Sequence, residues 1–382
     1  MSLVVGDMQR LNVVVCGGGF AAAEGLLRLH RLTGERVAVT LITPNEHLNY
    51  RPRTVMTPFT GSPVARYPIR DLAAATSARW VRDRLASVDL RSRTLYTANG
   101  QSLNYDAALL ALGAQERKPN PHVALFTDRT GGQTYRGIVE QIDTGAITSL
   151  TLIEPSGPSW PVPLYELALL TAKHAHDRGL RVEITLVTPR PHPLYPFGET
   201  VGATVERLLQ AAGVTLHSGT SAHIAGPRLV HLTPAGVELR PDRIVTLPTI
   251  TGPNVRGVPG DARDRFIPVD DRCRVPNTDG RVFAAGDATD LRVKHGGLAT
   301  QQADIAAAGI AHLADVAPAP GPFRPVLYGT LLTGDAPLYL QAHLVAGRGW
   351  QSQILTEPAW PADQLVVADE LVSYLAEHPP AG

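Results

Sequence analysis

The sequence predicts a three-layer α/β protein with two parallel-sheet domains and a small C-terminal α+β piece. Two series of apolar, β-branched strands that alternate with helical segments indicate this class, one near the N-terminus and one beginning at residue 149. The length of 382 residues is too great for one ordinary domain core. The 35 basic and 35 acidic residues balance, so we expect neither nucleic acid nor an anionic membrane as the main partner.

The first strand–helix–strand unit spans residues 11–43. An unbroken apolar run over 11–16 is typical of a strand buried on both faces, as parallel sheets require. Leucines at helical spacing then predict a helix that begins at Phe20 and ends at Gly34. A β-branched run over 36–43 completes a βαβ unit of the usual size.

The turn inside this unit has the pattern G-x-G-x-x-A over residues 17–22. In such turns the glycines let a diphosphate approach backbone N–H groups at the positive end of the helix. The pattern therefore predicts a Rossmann-like dinucleotide site, and a glycine turn without a ligand is the alternative. The second strand ends at Thr43, where an acid usually binds the ribose, so Asn45 or Glu46 would have to replace that acid.

Later segments complete the first unit and build a second one. Buried strands over 105–114 and 281–289 are expected to join the first sheet, and residues 149–219 repeat the strand–helix alternation. The Pro-rich stretch over 317–325 marks a linker. We expect a first domain made of residues 1–115 and 255–316, a second domain inserted at 116–254, and a C-terminal domain at 317–382.

Three motifs together resemble one group of proteins. GGGFAA at 17–22, YDAALLALGA at 105–114 and TDGRVFAAGDA at 278–288 are similar, in order and spacing, to motifs of the two-dinucleotide-domain flavoproteins. That group includes type II NADH dehydrogenases, sulfide:quinone oxidoreductases and flavocytochrome c sulfide dehydrogenases. The resemblance covers about residues 10–315, and it implies an oxidoreductase with FAD in the first domain.

The resemblance also implies which residues contact FAD. Asp287 would accept a hydrogen bond from the ribityl chain, Leu85 would lie near the adenine, and the helix that opens at Gly297 would direct its N-terminus at the flavin. Leu112 stands where the group usually has a threonine. The expected FAD contacts are Gly17, Gly19, Phe20, Ala21, Ala22, Thr43, Pro44, Asn45, Arg51, Leu85, Ala111, Leu112, Gly113, Gly286, Asp287, Gly297 and Leu298.

The second domain departs from the pattern that binds a nicotinamide cofactor. After its first strand the chain reads IEPSGPSWPVPLYE over 153–166, in place of G-x-G-x-x-G. Proline has no N–H to offer a phosphate, and Trp160 adds bulk. The next strand ends in Thr188 and Pro189, without an acid for a ribose. We therefore expect this domain to keep its fold without binding NAD(P)H in the usual way.

The two cysteines do not suit the sulfide chemistry of the resembled group. Cys16 ends the first strand and Cys273 lies before the strand at 281–289, so each is expected to be a buried small apolar residue. The chain has no C-x-x-C pair, no metal-ligand spacing, no signal-like N-terminus and no long apolar run. We expect a cytoplasmic protein without a redox disulfide, a metal site or a membrane-spanning helix.

Four side chains are candidates for catalysis. Glu166 is expected in the first turn of a helix begun by Pro163, and the alternative is a carboxylate that only stabilises the helix start. Lys294 and His295 precede the helix expected to face the flavin, and a solvated loop is the alternative for both. Arg51 lies in a segment that resembles the part under the flavin ring, although phosphate binding or a surface position are alternatives.

The C-terminal piece is expected to contain strands over 323–344 and a helix over 362–378. One face of that helix is apolar, with Leu365, Val366, Leu371, Val372 and Leu375, and the other is acidic. An anionic bilayer would repel the acidic face, so intramolecular packing or a homodimer contact is expected.

The sequence therefore predicts an FAD-dependent oxidoreductase that transfers two electrons between a small organic substrate or quinone and the flavin. An NAD(P)H:acceptor reductase and a non-catalytic FAD-binding partner protein are the alternatives.

Overall fold

The computed structural model describes residues 10–127, 130–261, 263–345, 349–358, 360–361 and 365–380. The helices of these parts of the chain are α1 (Phe20–Thr33), α2 (Thr57–Thr60), α3 (Ile69–Ala75), α4 (Gly131–Asp143), α5 (Val162–Asp177), α6 (Gly198–Ala211), α7 (Gly296–Leu313) and α8 (Leu371–Glu377).

The first sheet has five parallel strands, with Leu11–Cys16 at its centre. The interior strands are buried on both faces, which explains their unbroken apolar sequence. Helices α1 and α7 pack on one face, and a three-stranded antiparallel sheet covers the other. The strand order is Val282–Ala284, Ala107–Leu110, Leu11–Cys16, Val37–Ile42 and Arg79–Val81, and the covering strands are Leu85–Asp89, Thr94–Thr97 and Ser102–Asn104.

The second sheet repeats this architecture. It has five parallel strands, with helices α5 and α6 on one face and a three-stranded antiparallel sheet on the other. Its strand order is Ala124–Leu125, Arg243–Thr246, Ser149–Ile153, Glu183–Val187 and Val214–His217, and the covering strands are Ser221–Gly226, Leu229–Thr233 and Glu238–Leu239. The predicted three-layer α/β class with two Rossmann-like sheets is confirmed.

Two short antiparallel pairs lie outside the larger sheets. One joins Gln115–Arg117 to Thr249–Thr251, and the other joins His47–Asn49 to Arg66–Pro68. Residues just after strands of both parallel sheets, such as Ala111 and Leu247, lie around one common space. Rossmann-like proteins bind ligands at the carboxyl ends of such strands.

The C-terminal region supplies a further antiparallel sheet, as predicted. Its strands are Val326–Leu331, Leu338–Val345 and Gly349–Leu355. Apolar side chains of the first two strands join the core around α5 and α6. This sheet therefore packs on the second Rossmann-like unit.

The prediction of a long C-terminal helix is wrong. Only Leu371–Glu377 is helical, residues 365–370 are not, and 362–364 lie outside the described residues. The reason is tertiary: backbone groups of 365–370 bond to side chains of other elements instead of to each other. Leu371 and Tyr374 then pack against α1, so this helix is held within the chain.

Candidate active site

A cavity of about 790 Å³ lies at the carboxyl ends of the first sheet and extends toward α5. Its volume is in the range of cofactor and ligand sites. Thirteen of the residues proposed from the sequence line it: Gly19, Phe20, Ala21, Asn45, Arg51, Ala111, Leu112, Gly113, Glu166, Gly286, Asp287, Lys294 and His295. The other proposed residues do not line it: Gly17, Ala22, Thr43, Pro44, Leu85, Gly297 and Leu298.

The glycine turn forms one end of the cavity. Gly17 has a φ of +137°, and a Cβ there would lie 2.0 Å from the carbonyl oxygen of Ala111, so only glycine fits. Helix α1 then begins at Phe20, and no side chain caps its first N–H groups. A Cβ at Gly19 would meet no protein atom within 4 Å. Free N–H groups beside open space at a helix N-terminus fit a dinucleotide diphosphate.

The missing ribose-binding acid has one replacement on the cavity wall. Thr43 is buried, and its hydroxyl oxygen accepts the N–H of Asn45 at 3.2 Å. The Asn45 side chain lies beside Gly18 and lines the cavity. Glu46 instead forms an ion pair with Arg82. Asn45 is therefore the better placed of the two proposed substitutes.

A second helix N-terminus reaches the same cavity. Helix α7 begins at Gly296, no side chain caps it, and both His295 and Gly296 are cavity residues. The two uncapped helix ends concentrate positive potential on one ligand volume. An anionic dinucleotide fits this arrangement.

Lys294 is a buried cation on the cavity wall. Its side chain is 5% exposed, and its Nζ donates to the carbonyl oxygens of Thr289 at 2.6 Å and Asp287 at 3.3 Å. The Nζ also lies 3.7 Å from the centre of the Phe266 ring. Burial lowers the pKa of Lys294 to about 8, although Asp287 and other carboxylates oppose that shift. The solvated-loop alternative is thereby excluded for Lys294.

His295 is also buried, at 7% exposure, and its ring lies against Trp160 with 4.3 Å between ring centroids. Its Nδ1 atom has no hydrogen-bond partner among the described residues. Burial lowers the pKa of His295 to about 4, so the imidazole is neutral at physiological pH. A buried imidazole with an unpaired nitrogen on a cavity wall can bind a ligand or exchange a proton with it.

Glu166 differs from its predicted position. Helix α5 begins at Val162, so Pro163 is its second residue and Glu166 lies beyond the first turn. The carboxyl group is buried, and its Oε1 accepts the N–H of Leu332 at 3.1 Å. Burial raises the pKa of Glu166 to about 8, which leaves it protonated at neutral pH. The hydrogen bond from Leu332, and not the dipole at the start of α5, therefore holds the Glu166 side chain.

Side chains and prolines crowd the loop that follows the strand Ser149–Ile153 of the second sheet. Glu154 is buried there, and it accepts hydrogen bonds from the hydroxyls of Tyr165 at 3.1 Å and Thr188 at 2.8 Å. Arg190 lies 3.6 Å from the Glu154 carboxylate and donates to the carbonyl oxygen of Gly157 at 2.6 Å. Glu154 and Arg190 are not among the residues predicted for the site, although both stand at the ends of adjacent predicted strands.

The two cysteines lie in the core, as predicted. Cys16 is 0% exposed and Cys273 is 1% exposed. Burial raises the pKa of each thiol to about 12. Neither lines the cavity. A thiol that stays protonated and is inaccessible cannot attack a substrate.

Among the helices of the described residues, none is long and apolar enough to cross a membrane. Within the same residues, no group of His, Cys, Asp or Glu side chains is arranged to hold a metal ion.

Comparisons with known proteins bear on the class of this chain. The pyridine nucleotide-disulphide oxidoreductase family matches residues 165–306. The NADH dehydrogenase-like protein Rv1812c of Mycobacterium tuberculosis is 27% identical over 302 residues, which is 74% of either chain.

Two solved structures show the same fold. The sulfide:quinone oxidoreductase of Aquifex aeolicus matches with a TM-score of 0.79 at 17% identity. The match covers 90% of this chain and 87% of that protein's chain. The ferredoxin reductase for the CYP199A2 system of Rhodopseudomonas palustris has a TM-score of 0.65 at 20% identity, with 93% and 89% covered.

The fold, the cavity and the family match define a class. The chain is a flavin-dependent oxidoreductase, and its cofactor is FAD. Its sequence is similar to the pyridine nucleotide-disulphide oxidoreductase family over residues 165–306.

Proposed function

We propose that this oxidoreductase passes two electrons between a small organic molecule or a quinone and FAD, with no redox disulfide and no NAD(P)H bound in the usual way. One observation carries the proposal: a single cavity joins the glycine turn to Lys294, His295 and Glu166, and neither cysteine reaches it. The proposed FAD contacts on that cavity are Gly19, Phe20, Ala21, Asn45, Arg51, Ala111, Leu112, Gly113, Gly286 and Asp287.

When bound, FAD supplies the two-electron chemistry. The residues around it supply charge, protons and exclusion of water. Glu166 holds a proton at neutral pH that it can give to a substrate oxygen or nitrogen, and His295 can exchange one through its unpaired Nδ1. Lys294 supplies positive charge, and Trp160 covers one side of His295.

The crowded loop of the second sheet supports the exclusion of nicotinamide. A dinucleotide diphosphate needs free N–H groups after the first strand of such a sheet. Here Pro163 has no N–H, and the N–H of Leu164 bonds to Pro161 at 3.0 Å. The Arg190 guanidinium donates to the carbonyl oxygen of Gly157 in the same loop. The mycobacterial relative is named NADH dehydrogenase-like, which favours NADH as the electron donor. This name supports the alternative of an NAD(P)H:acceptor reductase.

An anaerobic reoxidation experiment tests the proposed function. The protein is photoreduced and mixed with a panel of quinones and small conjugated carbonyl compounds, and the return of flavin absorbance is followed. We expect at least one compound to reoxidise the flavin with saturation kinetics, at equal rates in wild type and a Cys16→Ala/Cys273→Ala variant. Failure of every acceptor and of small organic donors, with a partner that co-purifies, would favour the non-catalytic alternative. A rate that depends on the cysteines would contradict the proposal.

Replacement of Lys294 by methionine is expected to lower the flavin midpoint potential and to slow electron transfer about tenfold to a hundredfold, because a buried positive charge stabilises reduced anionic flavin. Spectroelectrochemistry measures the potential. Lys118→Met removes another lysine, which is exposed and bonds to Pro121, and it should change neither quantity. Equal potentials in both variants and wild type would show that Lys294 does not act on the flavin.

A further inference from the structure

The non-helical residues 365–370, called the C-terminal strap here, form part of the cavity wall. Leu365 and Val366 line the cavity beside the N-terminal ends of α1 and α7. Val366 is 3% exposed, and its side chain lies where a Cβ at Gly296 would meet it at 3.2 Å. The strap therefore covers the place where two uncapped helix ends meet.

Three side chains from three different elements hold the strap. At one end, the N–H of Leu365 donates to the hydroxyl of Tyr50 at 2.8 Å. In the middle, the hydroxyl of Thr300 donates to the carbonyl oxygen of Val367 at 2.9 Å. At the other end, the carboxylate of Glu24 accepts backbone N–H groups of residues 369, 370 and 371 at 3.0, 2.8 and 2.7 Å.

Glu24 is an unusual residue for this position. It is 0% exposed on the second turn of α1, the helix that begins at the glycine turn. A buried carboxylate is costly unless it is satisfied. Here the backbone N–H groups of the strap satisfy it, and these bonds oppose the rise that burial causes in the Glu24 pKa.

Asp304 on α7 is a second hydrogen-bond partner of Glu24, beside the backbone N–H groups of residues 369–371. Burial raises the pKa of Asp304 on α7 to about 9, and the nearby Glu24 acts in the same direction. Asp304 therefore keeps its proton at neutral pH. Arg28 and Arg31 pair with Glu370 of the strap, at 3.0 and 2.5 Å, and do not pair with Glu24. Glu24 thus has the strap backbone as its main partner.

We propose that Glu24 is a positioning residue for the cofactor: by holding the strap against α1, it keeps the wall formed by Leu365 and Val366 closed over bound FAD. This rests on the FAD placement proposed above. It adds a retention role for a residue that touches neither the cavity nor the proposed substrate groups, since Glu24 lies outside the cavity wall.

The test measures FAD release and strap protection separately, and needs no substrate. FAD dissociation is followed by its fluorescence after dilution, and amide hydrogen exchange is followed on peptides that cover 365–371 and α1. Glu24→Ala is expected to release FAD about tenfold faster or more, since it removes three hydrogen bonds, and to expose the strap amides while α1 stays protected. Glu24→Gln keeps one acceptor oxygen and should fall between this variant and wild type. Glu35→Gln, an exposed acid just after α1, is the control.

Tyr50→Phe provides a second variant at the opposite end of the strap, in case Glu24→Ala does not fold. It removes the acceptor of the Leu365 N–H and should also speed FAD release together with exchange at that end. Faster exchange of the strap with unchanged FAD release would overturn the proposal, as would unchanged exchange. An error in the FAD placement itself has a different signature, because Gly19→Val, discussed next, would then leave FAD binding intact.

Discussion

A Gly19→Val variant is expected to fold and to purify without FAD. Gly19 has a φ of −104° and a ψ of −169°, an extended conformation that any residue adopts, and a Cβ there meets no protein atom within 4 Å. The added side chain would fill the space beside the first N–H groups of α1 instead. We expect FAD affinity to fall by about a hundredfold or more, while the apoprotein keeps its melting temperature.

Gly17→Ala is the matched comparison, because it should damage the fold as well as the site. Its methyl group would overlap the carbonyl oxygen of Ala111 in a backbone region that disfavours side chains. A cost of more than about 3 kcal/mol is expected from overpacking and strain together. Thermal unfolding of both apoproteins and the ratio of flavin to protein absorbance separate the two effects. A yellow Gly19→Val protein with normal FAD content would show that the diphosphate binds elsewhere.

The second large effect is expected at Glu166. Its pKa is about 8 in the folded protein, against 4.5 for an exposed glutamate side chain. Between these values the unfolded state has lost the proton that the folded state still holds, so stability falls as pH rises through this window. The loss approaches roughly 4 kcal/mol near pH 8, at 1.36 kcal/mol per pH unit. It is absent below the unfolded pKa.

Glu166→Gln removes this titration and keeps the shape of the side chain. Denaturant unfolding of FAD-saturated protein from pH 5 to 9 should therefore show the variant gaining stability over wild type as pH rises. Glu206→Gln, on the exposed face of α6, should follow wild type throughout. A constant difference between Glu166→Gln and wild type across this range would mean that Glu166 does not hold a proton in the folded protein.

The features that the sequence predicted well depend on local chemistry. The glycine turn after a doubly buried strand has one physical solution, and Gly17 adopts it. The prolines in the loop after the strand Ser149–Ile153 have no N–H group in any fold, so their effect could also be predicted from the sequence. The burial of Cys16 followed from its apolar neighbours in the first strand.

The features that it missed depend on contacts between distant segments. The apolar pattern at 362–378 favoured one helix, but Glu24 and Tyr50, more than 300 positions earlier, bind the backbone of residues 365–370 and prevent it. The sequence near residues 365–370 gives no sign that Glu24 and Tyr50 bind this segment. The burial of Lys294 and His295 had the same cause, since both are covered by segments remote in the chain. Their roles toward FAD stay predictions.

The central claim is that the glycine turn of the first sheet binds a dinucleotide and the Pro-rich loop of the second sheet does not. Anaerobic titration with NADH and NADPH, monitored at the flavin absorbance band, tests this claim most directly. Photoreduction in the same cuvette proves that the flavin can accept electrons. We predict that the protein stays yellow with either nucleotide and bleaches only under light or with its own donor. Rapid, saturable bleaching by NADH or NADPH would contradict the account, because the Pro-rich loop after the strand Ser149–Ile153 would then hold a dinucleotide after all.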